Sequence, residues 1–295
     1  MVLVTGAGGL SGSIVIREFA RQKTPVKALV RDRAKAAAFK GLPGVEIVEG
    51  DMLRPETLHA GFDGVDQVLM ISSSGAQMAE TQCTFIDAAK QAGLMRIVKF
   101  SGAESGIGFN ARNFRFTRMH EEIEGHLERS GIAWTHLRPS QFMQIYFREA
   151  PSIVNAGAFY QALDNANLSP VDLEDVAKVA FGLLTTSGHE SKSYDMTGPE
   201  ALTMSEIAER ISQAVERPVR YINVSPAERR HLLLRAGMPA YFADAMDEQA
   251  SERRRCPVSR ISLGPHEMFG IKPTTFAEFA HKNAAVFRGS ATHKQ

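Results

Sequence analysis

The chain has 295 residues, 44% of them hydrophobic and 23% charged, with a formal net charge of +1. That length suits one large α/β domain, or a domain with a smaller lobe, and the composition excludes a largely disordered chain. The near-neutral charge argues against a nucleic-acid or membrane-surface binder, and no apolar run reaches the ~18 residues that a membrane span needs.

Residues 2–5 read as a short buried strand. Residues 10–21 read as a helix with Val15, Ile16, Phe19 and Ala20 on its apolar side. Strands follow at 26–30, 45–48 and 65–72, the last almost wholly apolar, as expected of a strand covered on both faces. A helix over 79–92 stops at Gly93 and leads to a strand at 96–101. In the next helix, 116–129, Phe116, Met119, His120, Ile123 and Leu127 share one face, and Gly131 ends it. A strand at 133–137 runs into Arg138-Pro139-Ser140. Strands alternating with helices imply parallel βαβ units.

Beyond residue 150 the periodicity weakens, and 151–170 is expected to loop over the cleft. Three helix starts then carry caps: Asp172 with Asp175, Thr203 with Glu206, and Ser225 with Glu228 behind Pro226. Strands are expected at 193–196 and 219–224, and a frayed tail at 288–295. Arg253-Arg254-Arg255 reads as a solvated helix face. The expected architecture is a Rossmann-type, doubly wound parallel sheet over 1–150, rejoined by the chain at about 165–200. Residues 151–295 add substrate-side loops and a smaller C-terminal α+β lobe. Met1-Val-Leu-Val-Thr-Gly already reads as a strand entering a glycine turn, so no charged leader is expected. Cys83 and Cys256 stand far apart in unlike contexts, so the expectation is a reduced, cytoplasmic protein without a disulfide or metal framework.

Gly6-Ala7-Gly8-Gly9-Leu10-Ser11-Gly12 follows a strand and opens a helix. In that setting Gly6 permits the tight turn, Gly9 lets a pyrophosphate approach the backbone, and Gly12 lets helix and strand pack closely. The helix N-terminus at Leu10 offers free N–H groups and partial positive charge to the phosphates. The second strand ends Val30-Arg31-Asp32. An arginine here accommodates the 2′-phosphate of NADP, and Lys35 is close enough to share it. Asp32 is the competing ribose ligand, so NADPH is the expected cofactor and NADH the alternative.

These residues, with Gly50-Asp51-Met52, Ser130-Gly131-Ile132-Ala133-Trp134-Thr135, Leu137-Arg138-Pro139, Gln141-Phe142-Met143 and Thr197-Gly198-Pro199-Glu200, resemble the NmrA-like branch of atypical short-chain dehydrogenases. The likeness is strongest to bacterial members that reduce triphenylmethane dyes, quinones and azo compounds, and it extends over nearly the whole chain. It implies that Asp51 and Met52 flank the adenine and that Ser72, Ser73 and Ser74 reach the nicotinamide ribose. Pro139, Ser140, Gln141 and Phe142 would then lie beside the nicotinamide and the substrate. Ser101 and Gly102 end the fifth strand at the same carboxyl edge, the usual binding edge of an open α/β sheet.

The wider superfamily uses a Tyr-x-x-x-Lys pair on the helix after the fifth strand, but this chain has no lysine between Lys99 and Lys178 and no tyrosine before Tyr146. His120 occupies that helix and faces inward. It is either a proton donor or ribose ligand, or a core histidine bonded to backbone. Phe109, Phe114, Phe142, Met143, Tyr146 and Phe159 offer an aromatic, Met-rich set for a flat acceptor. The expected function is an NADPH-dependent reductase of quinones, azo compounds or cationic dyes, acting on small molecules as a homodimer or monomer. A non-catalytic NAD(P)-binding redox sensor and a reductase of a specialised phenolic metabolite are the alternatives.

Overall fold

The structure, a computed structural model, describes residues 1–102, 110 and 112–290, with Lys35 described by its backbone alone. Short runs of Val, Leu, Ile and Met form the strands of the main sheet: β1 (Val2–Val4), β2 (Val26–Val30), β3 (Val45–Glu49), β4 (Gln67–Met70), β5 (Arg96–Phe100) and β6 (Ala133–Pro139). The later strands are β7 (Ala158–Gln161), β8 (Asn167–Leu168), β9 (Lys192–Met196), β10 (Leu202–Thr203) and β11 (Arg220–Asn223). The first helices are α1 (Leu10–Arg21), α2 (His59–Phe62), α3 (Met78–Gln91), α4 (Arg115–Ser130), α5 (Ala150–Ala156) and α6 (Leu173–Thr185). They are followed by α7 (Met204–Val215), α8 (Pro226–Arg235), α9 (Ala240–Arg255), α10 (Gly264–Met268), α11 (Phe276–Lys282) and α12 (Ala284–Phe287). Among the described residues no helix is long and apolar enough to cross a membrane.

The main sheet runs β3-β2-β1-β4-β5-β6-β9 with every pairing parallel. The chain leaves β1 toward β2 and β3, then crosses back to start β4 on the other side of β1. That reversal opens a crevice at the carboxyl ends of β1 and β4, where such sheets bind their ligands. Helices cover both faces. On one, Val15, Ile16 and Phe19 of α1 pack with Val176, Ala180 and Leu183 of α6, and the Phe19 and Phe181 rings meet edge-on at 5.0 Å. On the other, Phe85 and Ile86 of α3 and Ile123 and Leu127 of α4 cover Val68, Met70 and Ile97.

The C-terminal lobe has its own core of Tyr146, Phe159, Ile207, Ile211, Phe276 and Phe279. Four expectations need correction here. Residues 151–170 are not a loop: they contain α5, β7 and β8, whose partners β11 and β10 lie far along the chain. Asp172 caps α6 through the Glu174 amide (2.9 Å), but Asp175 turns away from the cap to accept from the Thr274 amide (2.8 Å) and Lys178 Nζ (2.8 Å). Arg253 is buried and Arg254 donates to the Ala162 carbonyl (2.5 Å), while the exposed Arg255 pairs with Glu252 of its own helix, so the arginine run is only in part a solvated face. Phe287 is buried and Arg288 donates to the Ala214 carbonyl (2.9 Å), so the chain is still anchored at residue 288. The Thr203–Glu206 capping box is formed in both directions.

Helix α9 reaches back to the start of α4. Glu252 accepts from the Asn110 amide (3.0 Å) and the Asn113 side chain (2.9 Å). Glu248 accepts from both the amide (2.9 Å) and guanidinium (2.6 Å) of Arg115, which stacks 4.5 Å from the Tyr241 ring centre. These bonds set where the first turns of α4, and hence His120, stand over the sheet edge.

Candidate active site

The glycine turn starts where β1 is tied to β4: Thr5 Oγ1 donates to the Ile71 carbonyl (2.6 Å) and accepts from the Ile71 amide (2.8 Å). Gly6 is left-handed at φ +58°, and a Cβ there would lie 2.8 Å from the Ile71 carbonyl oxygen. A Cβ on Gly12 would come within 2.3 Å of the Gly6 oxygen, so the glycine is what lets α1 close onto the turn. Gly9 is exposed and is the N-cap of α1, with no side-chain cap and no acidic residue in the first turn. The first amides of the helix and its positive dipole end are therefore free for an anion. This cradle fits a pyrophosphate.

At the ends of β2 and β3, Arg31 is exposed and makes no ion pair or hydrogen bond among the described residues. Asp32, its rival, caps the following turn by accepting from the Ala34 amide (2.8 Å). The Lys35 side chain lies outside the described residues. Asp51 is half-buried, its Oδ1 accepting from the Leu53 amide (3.0 Å), and Met52 is buried among Leu29, Val48 and Leu58.

Ser72 follows β4 and accepts from Gln82 Nε2 (2.8 Å), which turns its own O–H elsewhere; Ser73 and Ser74 are exposed. Ser101 and Gly102 follow β5 and are buried. Beside them lies a polar cluster. Lys99 is fully buried, its Nζ 3.0 Å from His120 Nδ1 and 3.2 Å from Ser101 Oγ. Ser101 donates to Glu124 (2.5 Å), and Arg138 grips the same carboxylate through Nε (3.0 Å) and Nη2 (2.6 Å). Burial raises the Glu124 carboxyl, but Arg138 and the Ser101 hydroxyl outweigh it and hold it below its ordinary range. Burial drives Lys99 down to about 7; Glu124 pulls it back and Arg138 opposes that. Burial, with Lys99 and Arg138, holds His120 well below the usual imidazole range, so its ring is neutral. Among the described residues, the bond His120 makes is to a side-chain amine.

At the end of β6 Pro139 is buried; beyond it the Ser140 hydroxyl donates to the Ser169 carbonyl (2.5 Å), and Gln141 and Phe142 are half-buried, with Phe142 5.9 Å from the Phe100 ring. The rest of the expected aromatic set disperses. Tyr146 and Phe159 are 1% and 0% exposed in the lobe core, ring against ring, with Met143 beside them. Phe114 is buried against Phe116. These four fill cores and have no face to offer an acceptor; Phe109 lies outside the described residues. Sequence reasoning missed Lys99, Glu124, Arg138 and Gln82. Two signals were present: a lysine inside the apolar strand Ile97-Val98-Lys99-Phe100, and His120 and Glu124 four apart on one helix face.

A glycine cradle at the switch point of a parallel sheet defines a Rossmann-type domain. The chain belongs to the NmrA-like family, whose family model matches residues 1–280, as the motifs had indicated. It is similar to NAD(P)H azoreductase of Xenophilus azovorans, 36% identical over 97% of this chain and 99% of the relative. Quinone oxidoreductase 2 of Escherichia coli is 29% identical over 94% of this chain and 96% of its own. Among solved structures, the Escherichia coli NADPH-dependent quinone oxidoreductase complexed with NADPH superposes with a TM-score of 0.85 at 28% identity, covering 96% of this chain and 99% of that one. The Citrobacter triphenylmethane reductase complexed with NADP(H) gives 0.84 at 25% identity, covering 96% and 100%.

Proposed function

We propose that this NAD(P)H-dependent oxidoreductase uses NADPH to reduce flat, electron-poor acceptors: azo compounds, quinones and cationic dyes. The observation that carries the reading is that one sheet edge holds both the anion cradle and the His120–Lys99 pair, beside the half-buried Phe142. The names of the relatives support the acceptor class.

Gly6, Gly9, Leu10 and Gly12 would hold the pyrophosphate with backbone amides, and Arg31, with Lys35, the 2′-phosphate. Asp51 and Met52 would flank the adenine. Ser72, with its O–H freed by Gln82, and Ser73, Ser74 and Ser101 would line the route toward the nicotinamide. Pro139, Gln141 and Phe142 would keep an acceptor flat against it. NADPH, once bound, supplies a hydride. A quinone spreads the incoming charge over its ring and a cationic dye is neutralised by it, so positioning supplies much of the catalysis. A simple ketone concentrates the charge on one oxygen and depends on a strong, aimed acid. Helix α4 carries His120 and Glu124 where the superfamily pair would stand, and Tyr146 is sealed in the lobe core.

The test is kcat/KM with NADPH for a small quinone, an azo dye and a cationic dye against an aliphatic ketone of similar size. The first three are expected to be turned over and the ketone scarcely. A preferred ketone overturns the acceptor class. Tight NADPH binding without turnover of any acceptor would replace the reductase by a redox sensor.

A further inference from the structure

We propose that Lys99, reaching up from β5, is the proton reservoir for His120, so that the pair forms a two-residue relay serving acceptors whose reduction consumes a proton. The inference rests on the reductase reading above and adds to it a buried residue that touches no substrate.

The hydrogen bonds set the direction of the relay. Ser101 spends its proton on Glu124, so its oxygen is left to accept from Lys99. Glu124 is in turn clamped by two Arg138 nitrogens. Lys99 is therefore a donor toward Ser101, and its ammonium form donates a second proton to His120 Nδ1 at 3.0 Å. An imidazole that accepts at Nδ1 carries its proton on Nε2, the opposite edge of the ring. The groups facing Lys99 are His120 and Glu124 from α4, Arg138 and His136 from β6 and Cys83 from α3. Held near neutrality by burial, the amine can give up a proton without the loss a surface lysine would suffer at this pH.

For an azo acceptor the step balances as follows. The hydride brings two electrons to one nitrogen, NADPH is oxidised to NADP⁺, and the N=N π pair moves to the second nitrogen. That nitrogen takes the Nε2 proton of His120. A Lys99 proton moves to Nδ1, leaving a neutral imidazole and a neutral amine, and solvent returns one proton to the pair. In a cationic dye the hydride neutralises a carbon cation and no proton is needed. The relay therefore predicts a split between acceptors that a purely structural lysine would not produce.

The experiment compares wild type, Lys99→Met and His120→Gln with an azo dye and a cationic triphenylmethane dye, with NADPH affinity from fluorescence titration. Both variants are expected to lose roughly 10²-fold more in kcat on the azo dye than on the cationic dye, the usual scale of a positioned acid. Wild-type azo turnover should fall as pH rises through about 7, and Lys99→Met should lose that limb. Independently of activity, ¹H–¹⁵N spectra of the cofactor-free protein at pH 6 should show His120 protonated on Nε2 alone. Equal losses on both dyes, or a His120 proton on Nδ1, overturn the relay. Absence of wild-type turnover with either dye instead overturns the reductase reading. If Lys99→Met does not fold, the azo-against-dye split in His120→Gln and the tautomer still decide the question.

Discussion

Arg31 stands at the carboxyl end of β2 with its guanidinium exposed and unpaired among the described residues. A cation kept idle at that edge is suited to a phosphate. Hydrogen bonds to a charged group contribute roughly 1.5–3 kcal/mol, or about 10- to 150-fold in affinity. Arg31→Ala is therefore expected to weaken NADPH by that factor and leave NADH nearly unchanged, as read from dissociation constants for both. Equal effects on the two cofactors would remove the 2′-phosphate assignment. The glycines separate by a different criterion. A Cβ on Gly9 meets only the Gly6 oxygen at 3.3 Å, whereas one on Gly12 meets it at 2.3 Å and Ala7 Cα at 2.8 Å. Gly9→Val should keep the fold, seen by circular dichroism, and lose both cofactors. Gly12→Ala should cost stability first, with a lowered Tm. The reverse pattern would mean that the turn is shaped by something other than these contacts.

Helix α6 is the element through which the C-terminal segments are fastened to the sheet. Its Asp175 is buried, accepts from Lys178 Nζ and the Thr274 amide, and lies 3.8 Å from His266 Nε2 of α10. Burial raises this carboxyl, but His266, Lys178 and Thr274 outweigh it and hold it far below the ordinary carboxylate range. A carboxyl with a depressed folded pKa stabilises the fold fully above its unfolded pKa of about 4 and loses that contribution as pH falls below it. Asp175→Ala, which leaves the half-buried Thr274 amide and Lys178 without their carboxylate, should cost roughly 1–3 kcal/mol at neutral pH. The gap in Tm from wild type should narrow below about pH 4. A gap that stays constant through acid would show that the loss is one of packing rather than of charge. α11 illustrates how local an element's start can be: Thr275 and Glu278 form a full capping box, and the T-x-x-E pattern was there to be read.

On the scale of the whole molecule, the Rossmann half was legible from the chain. Its strands are short runs of Val, Leu, Ile and Met covered on both faces, and α1 occupies the same residues, 10–21, that its apolar spacing marked. The glycine cradle was legible for the same reason, because the turn, the cap and the close helix contact all lie within seven consecutive residues. The polar cluster was only half legible. His120 showed as an inward-facing residue, but Lys99 read as part of a strand and Arg138 as the end of one. What joins them is the register β5·β6, which sets Lys99 opposite His136 and brings Arg138 of β6 across to α4. The lobe was least legible, because β7 and β8 find their partners in β11 and β10, tens of residues away, and each is too short for its own periodicity to show. Tyr146 and Phe159 were plausible acceptor residues until the lobe closed around them. The sequence by itself thus determined the parallel fold, the glycine turn and the family, since each depends on contacts between near neighbours in the chain. Only the tertiary structure decided which aromatic rings are core and which amine holds His120, because burial and charge pairing depend on segments that meet only when the whole chain has folded.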